Sequence, residues 1–164
     1  LSRNRIGIGE IKELAHQSEQ SPDLTAQIVN NIFDGDPVLA RNSAWGMTHF
    51  TNEQIDALQD RQNEFIDVIL STENTSLRRL LLNIIERQKF AENNLRTDFL
   101  DFCLEDMASA SEPPGVQCLC MKIAYQQCLF FPELLHEMAE RLAIMQNGYA
   151  TSTMGLRKKM LKIV

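Results

Sequence analysis

Apolar residues recur at three- and four-residue intervals along most of the chain: Leu24, Ile28 and Ile32, then Ile55, Leu58, Phe65 and Ile69, then Leu77, Leu81 and Ile84, and later Leu134, Met138 and Leu142. That spacing collects them on one face of an α-helix, the face that a helix buries. No run alternates apolar and polar residues with period two between turn signals, so strands have no support and the chain is predicted to be all-α. Punctuation divides the pattern. Ser21-Pro22 opens one helix, Asp34-Gly35-Asp36-Pro37 ends it and opens the next, and Asn74-Thr75-Ser76 and Glu112-Pro113-Pro114 do the same further on. Proline suits a first helical turn, where its missing donor would have no partner anyway.

The openings are evenly spaced. Pro37, Ser76, Pro114 and Thr153 stand 39, 38 and 39 residues apart, and they begin predicted helices at 37–50, 75–90, 114–129 and 153–164. Each is preceded by another predicted helix, at 22–33, 53–71, 95–108 and 132–146. The unit is therefore a helix pair, repeated about four times. Periods near 40 residues mark solenoids, in which a pair cannot bury its apolar side alone and stacks on its neighbours. The competing reading is a helical bundle with loops of regular length. Residues 1–21 are expected to form an amino-terminal cap with a helix over 9–19, followed by repeats at 22–50, 53–90, 95–129 and 132–164 within a single domain, 1–164.

The segment Asp36-Pro37-Val38-Leu39-Ala40-Arg41-Asn42-Ser43-Ala44-Trp45 resembles the second helix of a HEAT or armadillo-type repeat, where an Asp-Pro opening precedes an Arg and small residues. Ser76-Leu77-Arg78-Arg79 and Met154-Gly155-Leu156-Arg157 keep basic residues near the helix start, whereas Gly115-Val116-Gln117-Cys118 does not. The resemblance covers most of the chain as architecture and only the first unit as motif. It implies a right-handed α-α superhelix with first helices on the convex side and second helices lining a concave surface. Such proteins are mostly binding scaffolds, although a fold does not settle a function.

Length and composition agree with one compact helical domain. The 164 residues are 44% hydrophobic and 23% charged with 7 Gly and 5 Pro, which excludes disordered and collagen-like chains. The net charge of -6 argues against a surface that clings everywhere to nucleic acid or anionic lipid. It conceals a separation, however. The predicted second helices hold ten basic residues against Glu86 alone, a net +9, and everything else carries -15. If the second helices line a hollow, that hollow concentrates an anionic partner. Arg87, Lys89 and Lys162 sit in last helical turns, where cations complement the helix dipole without a ligand. Arg41, Arg78, Arg79, Lys122, Arg157 and Lys158 remain as candidate binding residues.

Trp45 and Tyr125 join that set as aromatic contacts. Trp45 lies one turn from Arg41 and His49 on one helix face, placed either to stack on a partner or to fill core, and Tyr125 extends the polar side that Lys122 begins. His49, His16 and His136 lack an identifiable partner and match no metal spacing. Asp98 with Asp101, and Glu105 with Asp106, belong to a solvated face opposite Phe99, Phe102 and Cys103. Cys118-Leu119-Cys120 has no second pair and no nearby His, so the four cysteines, with Cys103 and Cys128, are expected as reduced core thiols. Gly7-Ile8-Gly9 lacks the third glycine and the preceding strand of a dinucleotide loop. Neither a metal nor another cofactor is expected.

The longest apolar runs, such as Leu80 to Leu82, fall far short of the roughly 20 residues that span a bilayer, so no membrane association is expected. The amino terminus has no apolar stretch of a secretory signal, and a cytoplasmic location follows from this and from the reduced thiols. The sequence starts without Met, which leaves further upstream helices as an expectation. The functional expectation is a non-enzymatic scaffold that binds a protein, or another anionic partner, on its basic face. The alternative is a nucleic-acid-binding protein similar to the HEAT-like DNA-alkylpurine glycosylases, a resemblance that calls for an acid beside aromatics in the groove. Only Asp36 and Trp45 come close, and Asp36 reads as a helix cap. Apolar Ile163-Val164 at the last helix adds the expectation of a dimer or a longer assembly through that end.

Overall fold

The computed structural model of the protein describes residues 1–2, 6–145 and 148–164. Arg3 and Arg5 of the amino-terminal segment, and the expected helix end at 146, lie outside the described residues. Ten α-helices and no strand are found among the described residues: α1 (Ile8–Glu19), α2 (Pro22–Asn30), α3 (Pro37–Met47), α4 (Asn52–Asp56), α5 (Gln62–Ser71), α6 (Thr75–Arg87), α7 (Thr97–Asp106), α8 (Pro114–Cys128), α9 (Pro132–Ile144) and α10 (Thr151–Met160). The second helices begin at Pro37, Thr75, Pro114 and Thr151, so the period near 40 residues is real.

The helix starts follow local chemistry. The Ser21 hydroxyl accepts from the Leu24 N–H ahead of Pro22, and the Asp36 carboxylate accepts from the N–H groups of Val38 and Leu39 ahead of Pro37. The Asn74 side chain takes the N–H groups of Ser76 and Leu77, and Thr51 with Gln54 forms a reciprocal capping box. Gly35, at φ 90° between α2 and α3, sits where an L side chain is strained, which is why the turn before Asp36 needs glycine.

The chain forms two compact units, Leu1–Gln88 and Lys89–Val164. In the first, α1, α2 and α6 pack with α3, and α5 packs with α6. Its core is built on α6, whose Leu77, Leu80, Leu81, Leu82, Ile84 and Ile85 are all buried, against Ile28, Met47, Phe65 and Ile69 from the neighbouring helices. Each such side chain contributes about 1.5–3 kcal/mol by leaving water. In the second unit, α8 is the central element and packs with α7, α9 and α10. Phe99, Leu104, Met121, Ile123 and Met138 fill that core, and a buried bond from the Thr153 hydroxyl to the Gln117 side-chain carbonyl, 2.8 Å, ties α10 to α8.

One expectation is corrected. The predicted helix over 53–71 is broken into α4, a single 3-10 turn at Gln59–Arg61, and α5. The segment contains neither Pro nor Gly, so nothing local marks the break. Its cause is tertiary: the Leu58 carbonyl accepts from the Gln88 side chain at 2.9 Å, a partner 30 residues away. Gln88 and Leu58 are both buried, and the break lets Ile55, Leu58 and Phe65 all reach the core.

Candidate functional site

The eight residues singled out from the sequence separate into three groups. Arg41 and Trp45 project from successive turns of α3, and Arg79 projects from the second turn of α6. These helices pack together, and the three side chains close with Ser76 and Leu80 around a cleft of about 170 Å³. Leu80 is buried beneath it, Trp45 and Arg41 are half-buried, and Arg79 and Ser76 are exposed. The Arg41 guanidinium donates to the Asn42 side-chain carbonyl at 2.9 Å, which steadies it against α3. Arg79 has no hydrogen-bond or ion-pair partner among the described residues. The cleft thus offers an indole face and two guanidinium groups at the scale of one side chain, suited to a carboxylate or another small anion.

Arg78 and Arg157 hold other positions. Arg78 donates to the carbonyls of Ile69, 3.2 Å, and Thr72, 2.6 Å, at the end of α5. Arg157 donates to the carbonyls of Leu142, 2.6 Å, and Ala143, 3.1 Å, at the end of α9. Both satisfy carbonyls that a helix terminus leaves without an intrahelical donor, and both place a cation at the negative end of its dipole. In the third repeat, where no arginine is available, Gln117 does the equivalent with a 2.7 Å bond to the Ser109 carbonyl. Arg87 is also a clip: it reaches the carbonyls of Thr48 and Phe50, just past α3, and the Asn52 side chain. The sequence placed Arg87 at the dipole of its own helix; the structure gives it to another one.

In the second unit, Lys122 and Tyr125 stand about one turn apart on α8 and are half-buried, and Lys158 is exposed beside Lys159 on α10. Cys103, Cys120 and Cys128 are buried, Cys118 is half-buried, and all four are unpaired thiols. Burial and the neighbouring Cys120 push the Cys103 thiol well up, and burial and Glu137 push Cys128 up to about 11, so both stay protonated and unreactive at neutral pH. His16 and His136 differ from expectation. His16 lies 3.4 Å from Glu19 and His136 lies 3.4 Å from Glu140, each with a carboxylate one turn on, as the i,i+3 and i,i+4 spacings allow. Burial, and secondarily Lys12, lowers the pKa of His49 below the ordinary 6.5. Asp98 is held low by the Arg96 guanidinium at 2.6 Å. Asp36, with its carboxylate committed to two backbone N–H groups, is the cap of α3.

Helix pairs at a constant period, locked end to side by arginine clips, define a helical-repeat protein. The family comparison is specific: a model of the HEAT repeat domain matches residues 2–164, and the chain belongs to that family. HEAT repeats generally serve as protein-interaction scaffolds and are typically non-enzymatic. Searches of curated proteins and of solved structures give no match. No helix among the described residues is long and apolar enough to cross a membrane.

Proposed function

We propose that this protein is a non-enzymatic interaction protein that holds an acidic segment of a partner protein on its second helices. Within the first unit Arg41, Trp45 and Arg79 form the anchor; Lys122, Tyr125 and Lys158 are candidate contact residues of the second unit, taken by itself. Arg78 and Arg157 act indirectly, by fixing the helix ends next to these surfaces. The observation that carries the reading is the cleft itself. Three residues from two helices, 38 positions apart at the extremes, surround one small hollow, and the outermost cation has no partner among the described residues. The charge pattern supports the same reading, because basic residues concentrate on second helices in a chain of net charge -6.

The test is binding of a dye-labelled acidic peptide of alternating Glu and Leu, followed by fluorescence anisotropy. Arg79→Glu is expected to weaken it about tenfold, equivalent to 1.4 kcal/mol, with an unchanged helical spectrum. Arg79 is exposed, so the substitution leaves packing intact. A duplex DNA that competes with the peptide at equal charge would favour the nucleic-acid alternative, and binding indifferent to Arg79→Glu would remove the cleft from the account.

A further inference from the structure

The first unit carries a second groove, opposite in charge to the cleft of Arg41 and Arg79 and formed by first helices. One end is apolar: a cleft of about 400 Å³ whose walls include Pro22, Ala26, Ala57 and Leu58. Its polar floor is closed on itself. The Gln54 amide donates to the hydroxyls of Ser18, 3.0 Å, and Thr25, 3.2 Å, while its carbonyl accepts from the Thr51 N–H, 3.0 Å. Nothing on that floor calls for a polar ligand, and the alanines leave room for an aliphatic side chain. Exposed Glu19 and Glu53 stand at the rim.

Ala26 also lines a second, larger cleft of about 730 Å³, together with Asp23, Asp34, Glu64, Phe33 and Arg61 among others. Arg61 is the cation among its lining residues and it is already committed. Its guanidinium forks onto Glu64 at 2.9 and 2.8 Å, donates to the Asn30 side chain at 2.8 Å and stacks over the Phe33 ring at 4.7 Å. Asp23 and Asp34 are exposed and have no ion-pair partner among the described residues. Around Ala26, an apolar hollow edged with glutamates therefore adjoins a surface where Asp23 and Asp34 lack counterions among the described residues.

We infer that this groove docks a basic amphipathic segment of another protein, with an aliphatic side chain seated between Ala26 and Ala57 and lysines or arginines facing Glu53, Asp23 and Asp34. Apolar fit and charge complementarity select the same ligand. The inference does not rest on the acidic-partner reading above; with it, the chain has two faces that take partners of opposite charge.

The probe is a short dye-labelled synthetic peptide carrying two leucines one helical turn apart among lysines, titrated with the full chain. Saturable binding is expected, weakened at least tenfold by Ala57→Trp, which fills the hollow, and by the pair Asp23→Lys with Glu53→Lys. All three positions are exposed, and because Asp23 and Glu53 lie in the first turns of α2 and α4, binding is compared only for variants whose helical circular dichroism matches that of the parent chain. Replacing the peptide leucines with alanine is expected to weaken binding to a similar degree, and Arg79→Glu to leave it unchanged. Binding indifferent to Ala57→Trp or to loss of the leucines would overturn the proposal, as would equal loss in Arg79→Glu. A dimer in sedimentation velocity that Ala57→Trp dissolves would assign the groove to a second copy of this chain and overturn it as well.

Discussion

Removing the Arg87 side chain strands the Thr48 and Phe50 carbonyls, which it serves across 39 and 37 residues of sequence. Hydrogen bonds from a charged donor are worth about 1.5–3 kcal/mol each when well formed. The 3.4 Å bond to Thr48 is weak and the site is half-exposed, so Arg87→Ala is expected to cost about 1–3 kcal/mol in a urea titration, with Arg87→Lys recovering part of it. An unchanged midpoint would show that water replaces the guanidinium without loss. At this scale the sequence was informative about residue type and uninformative about destination. It marked Arg78, Arg79 and Arg157 alike as basic, yet only the folded geometry sends Arg78 and Arg157 to carbonyls and leaves Arg79 facing the cleft with Trp45. A long side chain reaches several targets, and sequence spacing does not choose among those contributed by another helix.

Helices whose ends carry their own signal were legible in advance. Asp36 is one: it lies next to Pro37, follows a glycine of positive φ, and accepts from two N–H groups. Asp36→Ala is expected to lower stability by about 1 kcal/mol and Asp36→Asn by much less, since an asparagine oxygen caps nearly as well. Thermal unfolding followed at the helical circular dichroism band checks it; equal loss in both variants would point to the charge of Asp36 rather than its cap. The break between α4 and α5 was not legible, because its determinant is a side chain just past the end of α6. Gln88 competes for the Leu58 carbonyl, and a periodic apolar pattern reads the same on either side of such an interruption.

Across the whole chain, the shifted groups predict a stability that falls with acid in two stages. His49 has a lowered folded pKa, so its contribution is complete above pH 6.5 and is lost as pH falls toward the folded value, because the unfolded chain takes up the proton first. Glu64 and Asp98 are lowered by Arg61 and Arg96, and their contributions are present above the usual carboxylate values of 4.5 and 3.8 and are lost below them. Urea midpoints measured from pH 8 to pH 3 are expected to show a first decline just below pH 6.5 that His49→Gln removes, and a second, carboxylate decline that it does not. A first decline that persists in His49→Gln would assign it to another group. Hydrogen exchange would place the first stage in Leu1–Gln88, which holds His49, and the second in both units. The amino-acid sequence alone determined the helical class, the repeat of about 40 residues and the segregation of charge between first and second helices, because periodicity, caps and composition are local properties of the chain. Tertiary structure alone decided which arginines clip helix ends, where the helix over 53–71 breaks, and that Arg41, Trp45 and Arg79 share one cleft. Those outcomes depend on which distant atoms come within hydrogen-bonding or packing range, and proximity of that kind is written only when the helices have packed.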